Sequence, residues 1–180
     1  MQAQKAKRNQ FAKTTAGFDN WSFQGPNNSA ANGKGIGRIN TVAFHPTEAN
    51  TFWIGSAGGG PWKTTDGGLS WAPVYNNMPT LGVSDIEFNP GNPNSIFICT
   101  GDRDAGDNYS IGVIKSINGG NTWDTIGFKY TASQLKLTND LAINYLDTNK
   151  MLLATSDGIY KSTDAGATWA LKTAGHYKQI

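Results

Sequence analysis

One short phrase occurs three times in this chain at nearly even spacing, and no other feature constrains the fold as tightly. Its copies are Lys63-Thr-Thr-Asp-Gly-Gly-Leu-Ser-Trp71, Lys115-Ser-Ile-Asn-Gly-Gly-Asn-Thr-Trp123 and Lys161-Ser-Thr-Asp-Ala-Gly-Ala-Thr-Trp169. The closing tryptophans are 52 and then 46 residues apart. A self-similar unit of that length cannot bury its apolar surface alone and must stack against its neighbours.

The similarity extends upstream of each phrase. Val42-Ala-Phe-His-Pro46 aligns with Ile86-Glu-Phe-Asn-Pro90 and with Leu141-Ala-Ile-Asn-Tyr145. Phe52-Trp-Ile-Gly-Ser56, Ile96-Phe-Ile-Cys-Thr100 and Met151-Leu-Leu-Ala-Thr155 follow. Then come Gly60-Pro-Trp-Lys63, Gly112-Val-Ile-Lys115 and Gly158-Ile-Tyr-Lys161. Each unit has three short apolar runs before the phrase and one starting at its Trp, with Pro-, Gly- and Asn-rich turns between. Four short antiparallel strands make one blade of a β-propeller. The predicted fold is therefore all-β, an incomplete propeller of about three four-stranded blades.

Composition agrees with strands and tight turns. The chain has 22 Gly among 180 residues and only two Glu, Glu48 and Glu87, which suits amphipathic helices poorly. Lys5, Lys7, Arg8 and Lys13 alone exceed the net charge of +2, so residues 14–180 carry a net −2. The basic segment reads as a solvated leader, and no strand carries a basic stripe with interleaved aromatics; nucleic acid is not an expected partner. No apolar run is long enough to predict membrane insertion, and the N-terminus lacks the apolar core of a signal peptide. The single cysteine, Cys99, lies in an apolar run and is expected to be buried and inert.

The predicted organisation is a basic flexible leader over 1–20, a lone closing strand and loop over 21–38 around Trp21-Ser-Phe-Gln24, and blades over 39–76, 82–128 and 139–173. Residues 174–180 read as the start of a further segment, with nothing in them to form a fourth blade. The propeller is expected to close with a remainder of the same protein or with another chain.

The repeated phrase has a structural task in this reading. Asp66, Asn118 and Asp164 would accept backbone hydrogen bonds, as side chains in Asx turns do. Gly68, Gly120 and Gly166 would supply backbone freedom or positive φ, and Trp71, Trp123 and Trp169 would pack on neighbouring strands. Asn118 keeps an acceptor oxygen, so its turn should survive with an uncharged bond.

These phrases resemble the Asp-box (BNR) repeat shared by sialidases, sortilin-type propellers and xyloglucanase-type glycoside hydrolases. The resemblance covers residues 39–173. Gly37-Arg-Ile-Asn-Thr-Val-Ala-Phe-His-Pro46, followed by Trp53-Ile-Gly-Ser-Ala-Gly-Gly-Gly60, looks most like the N-terminal part of sortilin-like repeat proteins exported by bacteria, often through type IX secretion. The resemblance implies a secreted or cell-surface protein.

Strand direction places Arg38, Ser56 and the Gly101–Tyr109 loop on the face opposite the phrases. The expected ligand face comprises Arg38, Ser56, Asp102, Arg103, Asp104, Asp107 and Tyr109. Asp102, Asp104 and Asp107 could bind calcium through flexible-loop carboxylates; the alternative is a solvated loop held by an Arg103–carboxylate pair. No cofactor is required. A glycosidase needs two carboxylates about 5–10 Å apart. Xyloglucanase-type enzymes place a catalytic Asp in a Thr-Asp-x-Gly-Gly run after the second strand of the first blade, where this chain has Ala57. Sialidases need an arginine triad, and this chain has three Arg, one of them in the leader. Gly58-Gly59-Gly60 precedes no helix and reads as a tight turn, not a phosphate cradle. His45 reads as a turn residue, and Trp53 and Trp62 as core between blades. The preferred functional expectation is a non-catalytic binding or adhesion module that recognises protein or glycan; the alternative is the N-terminal part of a carbohydrate-active glycoside hydrolase.

Overall fold

The computed structural model describes residues 37–74, 80–105 and 108–180. The leader, the Trp21–Gln24 segment and Asp107 lie outside the described residues. The apolar runs form three sheets of four strands, each a sequential antiparallel meander. The first contains β1 (Ile39–Phe44), β2 (Phe52–Ser56), β3 (Pro61–Thr64) and β4 (Ala72–Pro73). The second contains β5 (Val83–Asn89), β6 (Asn92–Thr100), β7 (Gly112–Ser116) and β8 (Asp124–Lys129). The third contains β9 (Thr138–Ile143), β10 (Met151–Thr155), β11 (Gly158–Ser162) and β12 (Ala170–Ala174). β1 lies against β5 and β5 against β9, so the first strands of the three blades run side by side. These are three blades of a β-propeller.

The repeated turn joins the third and fourth strand of every blade. Thr64 Oγ1 donates to Asp66 Oδ1 at 2.8 Å and accepts from Gly68 N at 2.9 Å. Ser70 N donates to Asp66 Oδ1 at 2.9 Å, and Trp71 Nε1 to the Gly68 carbonyl at 3.1 Å. The third blade repeats these bonds around Asp164. Asn118 keeps the geometry: its Oδ1 accepts from Thr122 N at 2.9 Å, while its amide nitrogen donates to Thr122 Oγ1. Gly68, Gly120 and Gly166 have φ of 95°, 90° and 86°, a region costly for a residue with a Cβ. Hydroxyl and backbone bonds from Ser70, and from Thr168 in the third blade, lower the Asp66 and Asp164 carboxyls to about 2.

The core lies between blades. Successive side chains of a strand point to opposite faces. In β6, Ile96 and Ile98 accordingly join Trp53, Ile86 and Phe88 on the first-blade side, while Phe97 and Cys99 join Leu141, Ile143 and Leu153 on the third-blade side. Trp53 is 1% exposed and meets Phe88 and Trp123 edge-on or tilted. Trp62 departs from the core expectation: it is half-buried, and its Nε1 donates to the Gly59 carbonyl. A ring beside a glycine turn can satisfy its N–H there. His45 Nδ1 accepts from the Glu48 N–H at 3.2 Å, and its ring packs edge-on to Phe88.

Candidate functional site

In each antiparallel meander, the second-to-third-strand loop and the linker to the next blade emerge at the end opposite the repeated turn. Backbone bonds stitch these segments together: Gly60 N to Leu81 O, Gly101 N to Gly82 O, and Ser110 N to Lys136 O. Ser56 shapes the first loop, accepting from Gly59 N at 2.8 Å and donating to the Gly60 carbonyl. Asn108 Nδ2 donates to the Ala57 carbonyl at 2.9 Å, tying the second-blade loop to the first.

Arg38 and Asp102 meet on this face as an ion pair. Asp102 is 1% exposed and also accepts from Asp104 N at 3.2 Å and Asn40 Nδ2 at 3.4 Å. The expectation of a solvated loop is corrected at Asp102, whose buried carboxylate takes Arg38 as its partner. Arg103 instead donates to the Asn40 carbonyl at 3.0 Å and the Asn139 carbonyl at 3.3 Å, with Asp140 at 4.0 Å. It reaches both neighbouring blades from the middle one. Asp104 is exposed and pairs with Lys178 at 3.2 Å; Tyr109 is half-buried. Among the described residues no three His, Cys, Asp or Glu side chains converge on a metal position.

A second polar cluster on the same face was not singled out from the sequence. Asp157, in the β10–β11 loop, accepts from Tyr130 Oη at 2.6 Å, Thr155 Oγ1 at 2.7 Å and Lys136 Nζ at 3.0 Å. Burial raises its carboxyl, and these bonds outweigh burial and hold it below its ordinary value. The signal was available: Thr155-Ser-Asp-Gly158 occupies the repeat position of the Ser56 loop.

The first strands bring three more carboxylates together. Asp85 accepts from Thr41 Oγ1 at 3.0 Å and from Leu141 N at 3.0 Å, so it too links all three blades. Burial raises it to about 6, against the lowering effect of the Leu141 bond. Burial, reinforced by Asp85 and Asp140, pushes Glu87 up to about 8. Asp85 and Glu87 line a cavity of about 420 Å³ with Thr41, Ala43 and Phe88.

No protein-family model matches the chain. It is 26% identical over 151 residues to the xyloglucanase Xgh74A of Acetivibrio thermocellus, covering 77% of this chain and 18% of that protein. It is 25% identical over 180 residues to a xyloglucanase of Hypocrea jecorina, covering 83% and 21%. Among solved structures it matches an ancestral GH74 enzyme with a TM-score of 0.63 and 28% identity, covering 76% of this chain and 18% of that one. The chain thus spans about a fifth of the length of the curated relatives it matches.

Proposed function

We propose that this chain is part of an exported, carbohydrate-active β-propeller protein, and that the loop face around Arg38, Asp102 and Asp157 engages a β-linked glucan of the xyloglucan type. The observation carrying the reading is the similarity to xyloglucanases along some three quarters of the chain, from which the glycan class is taken. The repeated turns are of the Asp-box type and serve the scaffold. The face has the composition carbohydrate recognition uses: charged and amide groups held in place by neighbours, with Trp62 and Tyr109 half-buried nearby.

The part played by these residues is binding, with bond cleavage carried by carboxylates elsewhere in the protein. Hydrolysis needs two carboxyl groups flanking the scissile bond. At the position where the resemblance expects one, this chain has Ala57, whose carbonyl is occupied by Asn108. Asp102 is committed to Arg38 and Asp104 to Lys178. Those commitments favour a second reading, a non-catalytic module of the sortilin-like kind that recognises protein or glycan at a bacterial surface.

Calorimetric titration of xyloglucan oligosaccharides into the chain tests the proposal. Saturable heat that weakens in Asp157→Asn and Arg38→Ala is expected. Absence of binding to xyloglucan and other β-glucans, with no sugar released by the protein that contains this chain, would overturn it. Hydrolysis lost in Asp102→Asn or Asp104→Asn would instead make these residues catalytic.

A further inference from the structure

The middle repeated turn carries a reactive pair that the other two lack. Asn118 is followed by Gly119, and with no side chain at Gly119 its backbone nitrogen can reach the Asn118 carboxamide carbon unhindered. Ring closure joins Gly119 N to Asn118 Cγ and expels the side-chain nitrogen as ammonia, which takes the Gly119 amide proton. Water then opens the succinimide. Addition at Cγ breaks the new bond and leaves aspartate. Addition at the main-chain carbonyl carbon leaves isoaspartate, with the chain running on through the side chain. In the closed turn the groups this needs are occupied. Gly119 N donates to the Asn94 carbonyl at 3.0 Å. Asn118 Oδ1 accepts from Ser116 Oγ and Thr122 N, each at 2.9 Å, and Nδ2 donates to Thr122 Oγ1 at 2.8 Å. Asn118 and Thr122 are exposed, so water is at hand and only the turn's own bonds hold the reaction back.

The aspartate product has a place ready. Asp66 accepts from Thr64 Oγ1, Ser70 N and Ser70 Oγ, and Asp164 accepts from Ser162 Oγ, Thr168 N and Thr168 Oγ1. Asn118 makes the first two bonds and reverses the third, donating to the hydroxyl. With aspartate there, the Thr122 hydroxyl turns and donates, and all three bonds join the stronger, charge-assisted class. Isoaspartate instead lengthens the main chain immediately before Gly119 and Gly120, whose φ values are 68° and 90°. Gly119 N is fixed to Asn94 and the Gly120 carbonyl to Trp123 Nε1, which leaves the turn no slack for the extra atom.

We propose that Asn118 is a site of spontaneous deamidation gated by opening of its turn, and that the reclosed turn accepts the aspartate product and excludes isoaspartate. Each event adds one negative charge and gives the middle blade the turn chemistry of its neighbours.

The chain is incubated in mildly alkaline buffer, folded or unfolded in urea, and peptide mapping resolves Asn, Asp and isoaspartate at position 118, separately from the other such pair, Asn32-Gly33. Folded chain should deamidate at Asn118 at least about tenfold more slowly than unfolded chain. Thr122→Ala, which frees Nδ2, should deamidate about fivefold faster than the unsubstituted folded chain. Equal rates in folded and unfolded chain, or in Thr122→Ala and the unsubstituted chain, overturn the gate. Asn118→Asp tests the product directly and should melt higher at neutral pH. Carboxyls at this repeat position are lowered from 3.8 to about 2, so the gain should be present above pH 3.8 and lost as pH falls towards 2. Melting no higher than the unsubstituted chain overturns the fit. After refolding of the aged, unfolded material, the folded fraction should be enriched in aspartate over isoaspartate; equal proportions overturn the selection. The turn lies at the end opposite the loop face, so none of these outcomes depends on glycan binding.

Discussion

Gly120→Ala isolates the packing between blades one and two. Gly120 has a φ of 90°, and an added Cβ would lie 2.3 Å from Trp53 Cη2 and 3.2 Å from Val74 Cγ1. The indole cannot swing aside, because Trp53 is 1% exposed and lies between Phe88 and Trp123, with ring centroids 5.7 and 6.0 Å away. A Cβ at positive φ costs about 1–2 kcal/mol, and overpacking a filled core adds about 1–3 kcal/mol, so the loss should be about 2–5 kcal/mol. Gly68→Ala is the internal control. It has a φ of 95°, but its Cβ would meet Phe52 Cζ at 3.4 Å and Trp71 Cζ2 at 3.8 Å, both ordinary contacts. It should lose only the backbone cost of about 1–2 kcal/mol. The unfolded-state gain of Gly→Ala is common to both and cancels. Urea unfolding at constant m measures the difference. Equal losses would refute the inter-blade placement of Gly120.

Two further predictions concern the charged groups. Glu87 is raised from 4.5 to about 8, so its favourable contribution is complete below pH 4.5 and is lost as pH rises towards 8. Glu87→Gln should leave stability unchanged near pH 4 and raise it at pH 9 by about 1–3 kcal/mol after allowance for solvent screening; thermal melts across this range check it, and a flat difference refutes it. Arg38→Ala strips Asp102 of its cation and should cost about 1–3 kcal/mol, reduced from the fully buried case because Arg38 is half open to solvent. With Asp102 so engaged, millimolar calcium should leave the melting temperature of the unsubstituted chain unchanged; a clear rise would mean that the Asp102–Asp107 loop rearranges around the ion.

The blades were legible because four strands and a turn repeat at nearly even spacing, and each level of signal agrees with the others. Strand direction also brought Arg38 and Asp102 to one face. Their pairing was not legible, since sequence proximity favours Arg103, whereas the fold carries Arg103 across to the carbonyls of Asn40 and Asn139. Asp85 and Glu87 were hidden in an apolar run, where strand phase alone does not tell a neighbouring blade from the open cavity. Trp62 shared its strand pattern with core residues, and only the path of the Gly58–Gly60 turn puts its N–H beside a carbonyl. Tyr177–Ile180 is too short for periodicity to speak. Only the fold brings it to the third blade, where Asn139 donates to the Tyr177 carbonyl and Asp140 accepts from the Ile180 N–H.

The two side chains that reach both neighbours have a consequence for the loop face. Arg103 ties the middle blade to the others through two main-chain carbonyls, and Asp85 does so through a hydroxyl and an amide. One bears positive charge and the other a carboxyl raised to about 6, and they act from different strands and loops. Rotation of any blade about its neighbour would break bonds at both, leaving buried polar groups without partners at a cost of about 1–3 kcal/mol each. Arg38, Asp102 and the Asp157 cluster therefore stand on blades locked in relative position. A ligand meeting that face finds its polar groups already placed, and its binding energy is not diverted into ordering them.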